Sequence, residues 1–513
     1  MNNNKKQSKM KKSIFTVAAA LLVSSTMFGQ LRDAGMDGIN VFETPKSETK
    51  FDGVKTTIGG GLTLGFQALN HSNTALPNLK TIPSLTNTDA AGIGKYDANK
   101  LIGLTPGFNN ATANMSINVG LADGVDLKME LYLSARHHQE TWVKGGFIQF
   151  NKLPFLKMDL VDNIMKYTTI KAGHMEVNYG DAHFRRTDNG NAMYNPFIEN
   201  YIMDAFATEI GAEVDVNFKG LIAVAGLSTG QIKGDQSVPT PGYFIKSADG
   251  IKKDTTIVTD GTRKPAFLAK LGWDGKLLDD KFRVRATGSM YITAGSTGVT
   301  LYGGDRGGSH YWGVMDNTLA GSTFTKDNIA FTSGRYNPGF GDKITSYMGN
   351  LFLDYKITDK LSVESFTTIE TSSGRGKTEG TGERNASQIA EDLIFRYGDF
   401  YIGVRYNKVD ADVAAVYTMA KAATAASTTY SLNTKTGLID AKTTPATAFV
   451  PESTTPGYAV AIDRIAVSAG YFITKNVMAK IEYTTQNYNG FPTTDIRSGG
   501  KFNGIVAEAV IGF

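Results

Sequence analysis

The feature that most constrains this chain is an alternation of apolar and polar side chains, sustained for about a dozen residues at a time and carrying charges on its polar face. Ala111, Ala113, Met115, Ile117, Val119 and Leu121 alternate with Thr112, Asn114, Ser116, Asn118 and Gly120. After Ala122-Asp123-Gly124 the pattern resumes: Val125, Leu127, Met129, Leu131 and Leu133 alternate with Asp126, Lys128, Glu130, Tyr132 and Ser134. A period of two belongs to strands. Placing Leu121 and Val125 on one face calls for a three-residue connection with Gly124 in the left-handed region. Strands of roughly twelve residues exceed the five or six usual in globular sheets. They match the roughly 9–11 residues that a tilted strand needs to cross a bilayer.

The same grammar recurs to the end of the chain. Alternating runs meet at Lys219-Gly220, Asp274-Gly275, Thr358-Asp359-Lys360, Gly398-Asp399 and Thr474-Lys475-Asn476, with aromatic residues beside these turns. The other ends are joined by long, polar, irregular stretches. Tight turns on one side, long loops on the other and aromatic girdles describe a transmembrane antiparallel β-barrel. The pattern predicts an all-β fold of sixteen strands: 55–69, 108–122, 125–136, 141–151, 166–176, 207–218, 221–232, 265–273, 281–293, 344–357, 361–372, 390–397, 400–409, 458–473, 477–488 and 501–513. Alternation is poor around Trp142 to Asn151, and 294–344 has room for another hairpin, so fourteen and eighteen strands also fit.

The polar face carries Lys128, Arg136, Lys171, Lys270, Arg283, Arg285, Lys356, Arg396, Arg405, Arg464 and Lys480. Against them stand Asp126, Glu130, Glu209, Glu213, Asp215, Asp354, Glu364, Glu370, Asp392, Glu482 and Glu508. An Arg or Lys facing lipid at mid-depth costs about 2–4 kcal/mol, and unpaired charges cannot fill a dry core. The pattern therefore predicts a water-filled lumen. Tyr397 opposite Phe400 would set Asp392 against Arg405 in a wall ion pair. Arg283 and Arg285 have no acid two residues away on their own strand, and are expected to form an anion-attracting patch.

Residues 1–30 read as a cleaved export signal: Lys5, Lys6, Lys9, Lys11 and Lys12 precede the apolar run Ile14 to Val23, then Ser24, Ser25 and Gly29. That run is shorter than the roughly 20 residues of a membrane-spanning helix. Removing five lysines takes the net charge from +4 to about −1, which excludes a nucleic-acid partner argued from basicity. Residues 31–54 lack a period and read as a periplasmic or lumenal lead-in to the barrel, 55–513. The full sequence's 28 Phe and 22 Tyr, 56 Gly and absence of Cys suit a large exported β-structure.

Between the fifth and sixth strands, 177–206 has neither period. With alternate connections outside, it is the third outer loop. Lys171-Ala172-Gly173-His174, Tyr179-Gly180-Asp181, Arg185-Arg186-Thr187-Asp188-Asn189, Asn195-Pro196-Phe197 and Ile202-Met203-Asp204-Ala205-Phe206 resemble the strand-then-loop passage of the phosphate-selective porin family and its general-porin relatives. The resemblance implies a homotrimeric diffusion channel for small hydrophilic solutes in the outer membrane of a Gram-negative bacterium. It also implies an inward-folded third loop, with Arg185, Arg186 and Asp188 at the constriction. The alternative for the two arginines is anchorage to wall acids such as Glu209 or Glu213. A balanced wall, eleven charges of each sign, departs from anion-selective members and leaves the solute open. Ile505, Ala507, Ala509, Ile511 and the terminal Phe513 resemble the C-terminal signal read by the barrel-assembly machinery.

No catalytic, metal or cofactor site is expected. None of the six histidines, including His137-His138, falls in a Ser/His/acid or metal-ligand pattern, and Gly59-Gly60-Gly61 lacks the following Gly-Lys-Ser/Thr of a phosphate loop. The rival readings are an outer-membrane transporter for hydrophobic solutes, for which 31–55 offers few apolar residues, and an adhesion barrel, which the Ala/Thr/Ser-rich stretch 411–453 would suit.

Overall fold

Sixteen long antiparallel strands take up the alternating segments. The computed structural model describes residues 35–43, 46, 51–81, 95–108, 111–134, 141–231, 265–293, 301–303, 309–317, 334–376, 383–413, 416–418, 427–432, 439–444 and 453–513. The export signal 1–30, Arg136 and His137-His138 lie outside these residues.

The strands are β1 (Lys55–Ser72), β2 (Thr112–Ala122), β3 (Val125–Ser134), β4 (Thr141–Phe150), β5 (Thr168–Glu176), β6 (Thr208–Phe218), β7 (Leu221–Ser228) and β8 (Ala266–Leu277). They continue as β9 (Phe282–Thr293), β10 (Phe340–Lys356), β11 (Leu361–Gly376), β12 (Glu383–Tyr397), β13 (Phe400–Val413), β14 (Tyr458–Thr474), β15 (Val477–Asn489) and β16 (Lys501–Gly512). Each pairs with its neighbour in sequence. β1 then closes the ring by pairing with β16 from Gly61↔Gly512 to Ser72↔Lys501 and with β2 on its other edge. The two residues Gly107–Phe108 add a short pairing beside Phe66 and Gln67. Among the described residues each of the sixteen barrel strands is paired on both edges, as a strand wall in hydrocarbon requires.

The outer wall is apolar. Along β14 Ile465, Val467 and Tyr471 point out, while Arg464, Ala466 and Ser468 are buried inside. At the tight-turn end, Phe218, Trp273, Tyr355, Tyr397, Phe400 and Tyr471 form an exposed girdle, reinforced by an edge-on Tyr167–Phe218 pair at 4.8 Å. One turn differs from expectation. The β2–β3 hairpin pairs Ala122 with Val125 and absorbs the extra residue as a bulge after Gly120. Gly124 does take a positive φ of 72°, and a Cβ there would lie 2.6 Å from the Lys152 side chain. The β4–β5 connection on this side is longer than a turn and carries α1 (Asp159–Met165).

The interior departs from the expected open lumen. A hydrophobic core lies inside the barrel, where loop residues Tyr179, Ile198, Ile202 and Met203 pack against wall residues Ile222, Leu268, Tyr291 and Met348.

Candidate functional site

The inner loop begins where β5 and β6 part, closed at its neck by Val177 N–H donating to the Ala207 carbonyl at 3.0 Å. It makes two short 3₁₀ turns, Ala182–Arg185 and Asn189–Met193, and crosses the lumen. A loop lying inside a barrel has backbone groups that neither sheet nor bulk water satisfies. The wall side chains satisfy them. Lys480 donates to the carbonyls of Ala192 and Phe197 at 2.9 and 3.1 Å. Arg405 donates to the Glu199 carbonyl and Arg464 to the Asn200 carbonyl, each at 2.7 Å. Glu482 accepts from Ile198 N–H and Asn407 from Ile202 N–H. Gln388 both accepts from Met203 N–H and donates to its carbonyl. The polar face of β12 to β15 is thus a template for an irregular backbone.

Asp181 is the loop's ionic anchor. It accepts from Arg285 at 2.8 and 2.9 Å, from Thr287 at 2.7 Å and from Lys270 at 3.0 Å. Burial alone would raise its pKa, but Lys270 and Arg285 outweigh that and hold the carboxyl below the usual carboxylate range. Gly180, at φ 69°, lets the backbone reach this anchor: a Cβ there would lie 2.1 Å from the Met348 sulfur.

Two further segments enter the barrel. In the β9–β10 connection, His310 and Tyr311 N–H groups donate to Glu199 at 2.6 and 3.1 Å, and the Tyr302 hydroxyl donates to Glu370 at 2.6 Å. From the lead-in, Glu43 accepts two hydrogen bonds from Arg285 at 2.6 and 2.8 Å.

These insertions fill one side and leave the other open. A cavity of about 640 Å³ is lined by Asn118, Lys128, Glu130, Lys144, Gln149, Lys171, His174, Glu176, Glu213 and Asp215 of the β2–β6 wall, with Asn178, His183, Phe184 and Asn191 from the loop. A second, of about 790 Å³, extends toward the tight-turn end and shares Lys46, Asn118 and Lys166 with the first. Lys171 bridges Glu213 and Asp215 at 2.9 and 2.6 Å, and Lys144 lies 3.5 Å from Glu130. His183 contacts Glu176 at 2.5 Å and Asn178 at 3.1 Å.

The residues expected at the constriction sit one layer behind this surface. Arg186 pairs with Asp204 at 2.9 Å and Asp188 at 3.2 Å. Asp188 also contacts Lys144, which does line the cavity. Arg185 turns the other way, 4.8 Å over the Phe366 ring and 3.8 Å from Glu364. All three are buried, and their acid partners are not the expected Glu209 and Glu213. Glu209 instead accepts from Tyr291 at 2.7 Å.

The wall arginines are likewise compensated by neighbouring acids and amides. Arg283 forks onto Asp274 at 2.8 and 2.6 Å, and Arg285 is shared by Asp181, Glu43 and Asp274. The two arginines expected to form an anion-attracting patch are ion-paired in this structure, by acids from the neighbouring strand, the loop and the lead-in, none of which a same-strand count includes. Arg396 pairs with Glu364, and Arg464 with Gln486 at 2.7 Å. Arg405 and Asp392 face each other across their hairpin at 2.6 and 2.8 Å, in the expected register. Sequence reasoning missed Lys144, because β4 alternates poorly, and missed Asn178 and His183, which carry no sequence signal separating them from their loop neighbours. Phe513 ends the barrel with its ring exposed and its backbone paired to Gly60 at 2.9 and 3.0 Å.

No protein-family model and no curated protein matches the chain. Solved outer-membrane proteins are similar in fold at low identity. The anion-selective porin from Comamonas acidovorans is 8% identical with TM-score 0.42, covering 90% of this chain and 100% of that one. The outer membrane channel DcaP of Acinetobacter baumannii is 11% identical with TM-score 0.41, covering 91% and 99%. In-vitro folded OmpT of Vibrio cholerae, in a trimer form, is 10% identical with TM-score 0.41, covering 90% and 100%. The fold of this chain is a closed antiparallel β-barrel of sixteen long strands.

Proposed function

We propose that the protein is a porin, a channel for passive diffusion of small hydrophilic solutes and ions across the outer membrane, assembled as a homotrimer. The observation that carries the reading is the polar cavity between the β2–β6 wall and the inner loop, continuing toward the tight-turn mouth. Charged groups on the wall and polar groups on the loop replace part of a solute's hydration, while the packed half of the lumen limits its width. On this reading the solute meets Lys128, Lys144, Lys171, Glu130 and Glu176 on the wall, and Asn178, His183 and Asn191 on the loop. Arg185, Arg186 and Asp188 set the loop's position from behind. With cations and acids interleaved, selection is mainly by size, with weak ion preference.

Purified protein in a planar bilayer tests this. Stepwise conductance is expected, and its absence in material with an intact barrel would remove the channel reading. Cross-linking in detergent tests the trimer separately.

A further inference from the structure

The lead-in segment carries a feature that conduction does not use. Phe42 and Glu43 lie inside the barrel against β9, β10 and β11, although residues 39–43 form neither helix nor strand. The Phe42 ring is buried. It meets Phe352 edge-on at 5.4 Å and Phe184 edge-on at 5.8 Å, with Phe366 at 6.5 Å. The Arg285 guanidinium stands 4.3 Å from the ring centre and that of Arg283 at 5.4 Å. The next side chain, Glu43, places its carboxylate on the fork of Arg285, with Lys270 at 3.8 Å.

We propose that this inner-wall pocket is a binding site for an aromatic carboxylate, and that Phe42 and Glu43 occupy it in cis. The geometry is selective in two independent ways. A guanidinium fork takes a planar carboxylate through two parallel hydrogen bonds. Edge-on aromatic partners with cations over the face take a flat ring. Glu43 and Phe184 also line the polar cavity, so a solute in the passage reaches the site without crossing the packed half. When the segment leaves, Arg285 and Lys270 lose one of the carboxylates that neutralise them, and the vacated pocket gains affinity for an anion with a ring.

The test is binding to the full chain in detergent, which does not depend on conduction and fails separately from the channel reading. The variant Phe42→Ala/Glu43→Gln is titrated calorimetrically with 3-phenylpropanoate, beside wild type. Acetate (a carboxylate without a ring) and benzyl alcohol (a ring without charge) serve as controls. The variant is expected to bind 3-phenylpropanoate at least about tenfold more tightly than wild type, and to bind both controls far more weakly. Glu43→Gln alone, which disturbs packing least, is expected to give a smaller gain. Equal affinity in variant and wild type, with the barrel intact by heat-modifiable gel mobility, would overturn the proposal. So would variant binding of acetate as tight as that of 3-phenylpropanoate.

Discussion

Arg285 on β9 and Asp181 in the inner loop share two hydrogen bonds, at 2.8 and 2.9 Å, both groups almost wholly buried. They lie 104 residues apart in sequence, and their pairing ties the loop to the wall at the point where it turns into the lumen. Removing one partner of such a pair strands the other charge in a site it cannot leave, which typically costs about 3–5 kcal/mol.

Asp181→Ala should therefore loosen the loop rather than the barrel. Single-channel records are expected to show larger and noisier conductance, while the barrel's resistance to SDS without heating stays close to wild type. A quiet trace of wild-type size would mean that the carbonyl contacts of Lys480, Arg405 and Arg464 suffice to hold the loop.

The same anchor sets an acid limit. Asp181 has a folded-state pKa held below its unfolded value of about 3.9. Its contribution is therefore fully present above the unfolded pKa, and is lost as pH falls through the lower folded value. The groups facing it are Lys270, Arg285 and Thr287, with Glu43 on the same cations. Anchor-dependent conductance noise should stay flat from neutral pH down to about pH 4 and rise only below that. A rise near pH 6 would assign the loop's docking to a different group.

Ion preference should respond to the open wall and not to the packed one. Lys171→Gln removes a cation from the cavity surface and is expected to shift the reversal potential in asymmetric salt toward cations. Arg464→Gln removes a cation whose hydrogens are spent on Asn200, Gly334 and Gln486. It should alter noise and stability with little change in reversal potential. Equal shifts for both would mean that the two halves of the lumen are equally wet.

Gly180→Ala tests the close approach of loop and wall. A side chain at φ 69° costs about 1–2 kcal/mol in backbone strain, and its Cβ would also displace Met348. A lower melting temperature and a looser inner loop, seen as faster proteolysis between β5 and β6, are expected.

Phe513→Ala tests the terminal strand. Its ring is exposed and its backbone pairing with Gly60 does not depend on the side chain. The refolded protein should match wild type in heat stability, while the amount assembled in the outer membrane of cells falls. Equal amounts in cells would remove the assembly role.

The strands were legible because their signal is local. The period of two follows from backbone geometry alone, so Ile465, Val467 and Tyr471 announce the outer face of β14 wherever the rest of the chain goes. Register within a hairpin was legible for the same reason: Gly398-Asp399 is a two-residue turn, and counting back from it places Asp392 on Arg405. Hairpin order also placed 177–206 between the fifth and sixth strands. The polar face was less legible, since a charge at an inward position suits water, a cross-strand acid or a carbonyl of inserted backbone equally well.

The sequence by itself pointed to an antiparallel barrel of sixteen strands, with fourteen and eighteen also fitting, and to which face of each strand is polar. Only the tertiary structure decided that β8 to β16 are packed against inserted chain while β2 to β6 line the open cavity. The reason is distance along the chain. Arg464 finds the Asn200 carbonyl 264 residues away and Lys480 that of Ala192 288 residues away, and no periodicity in either segment encodes the other. Buried polar groups must be paired, but which partner pairs them is settled when the barrel closes around the loop.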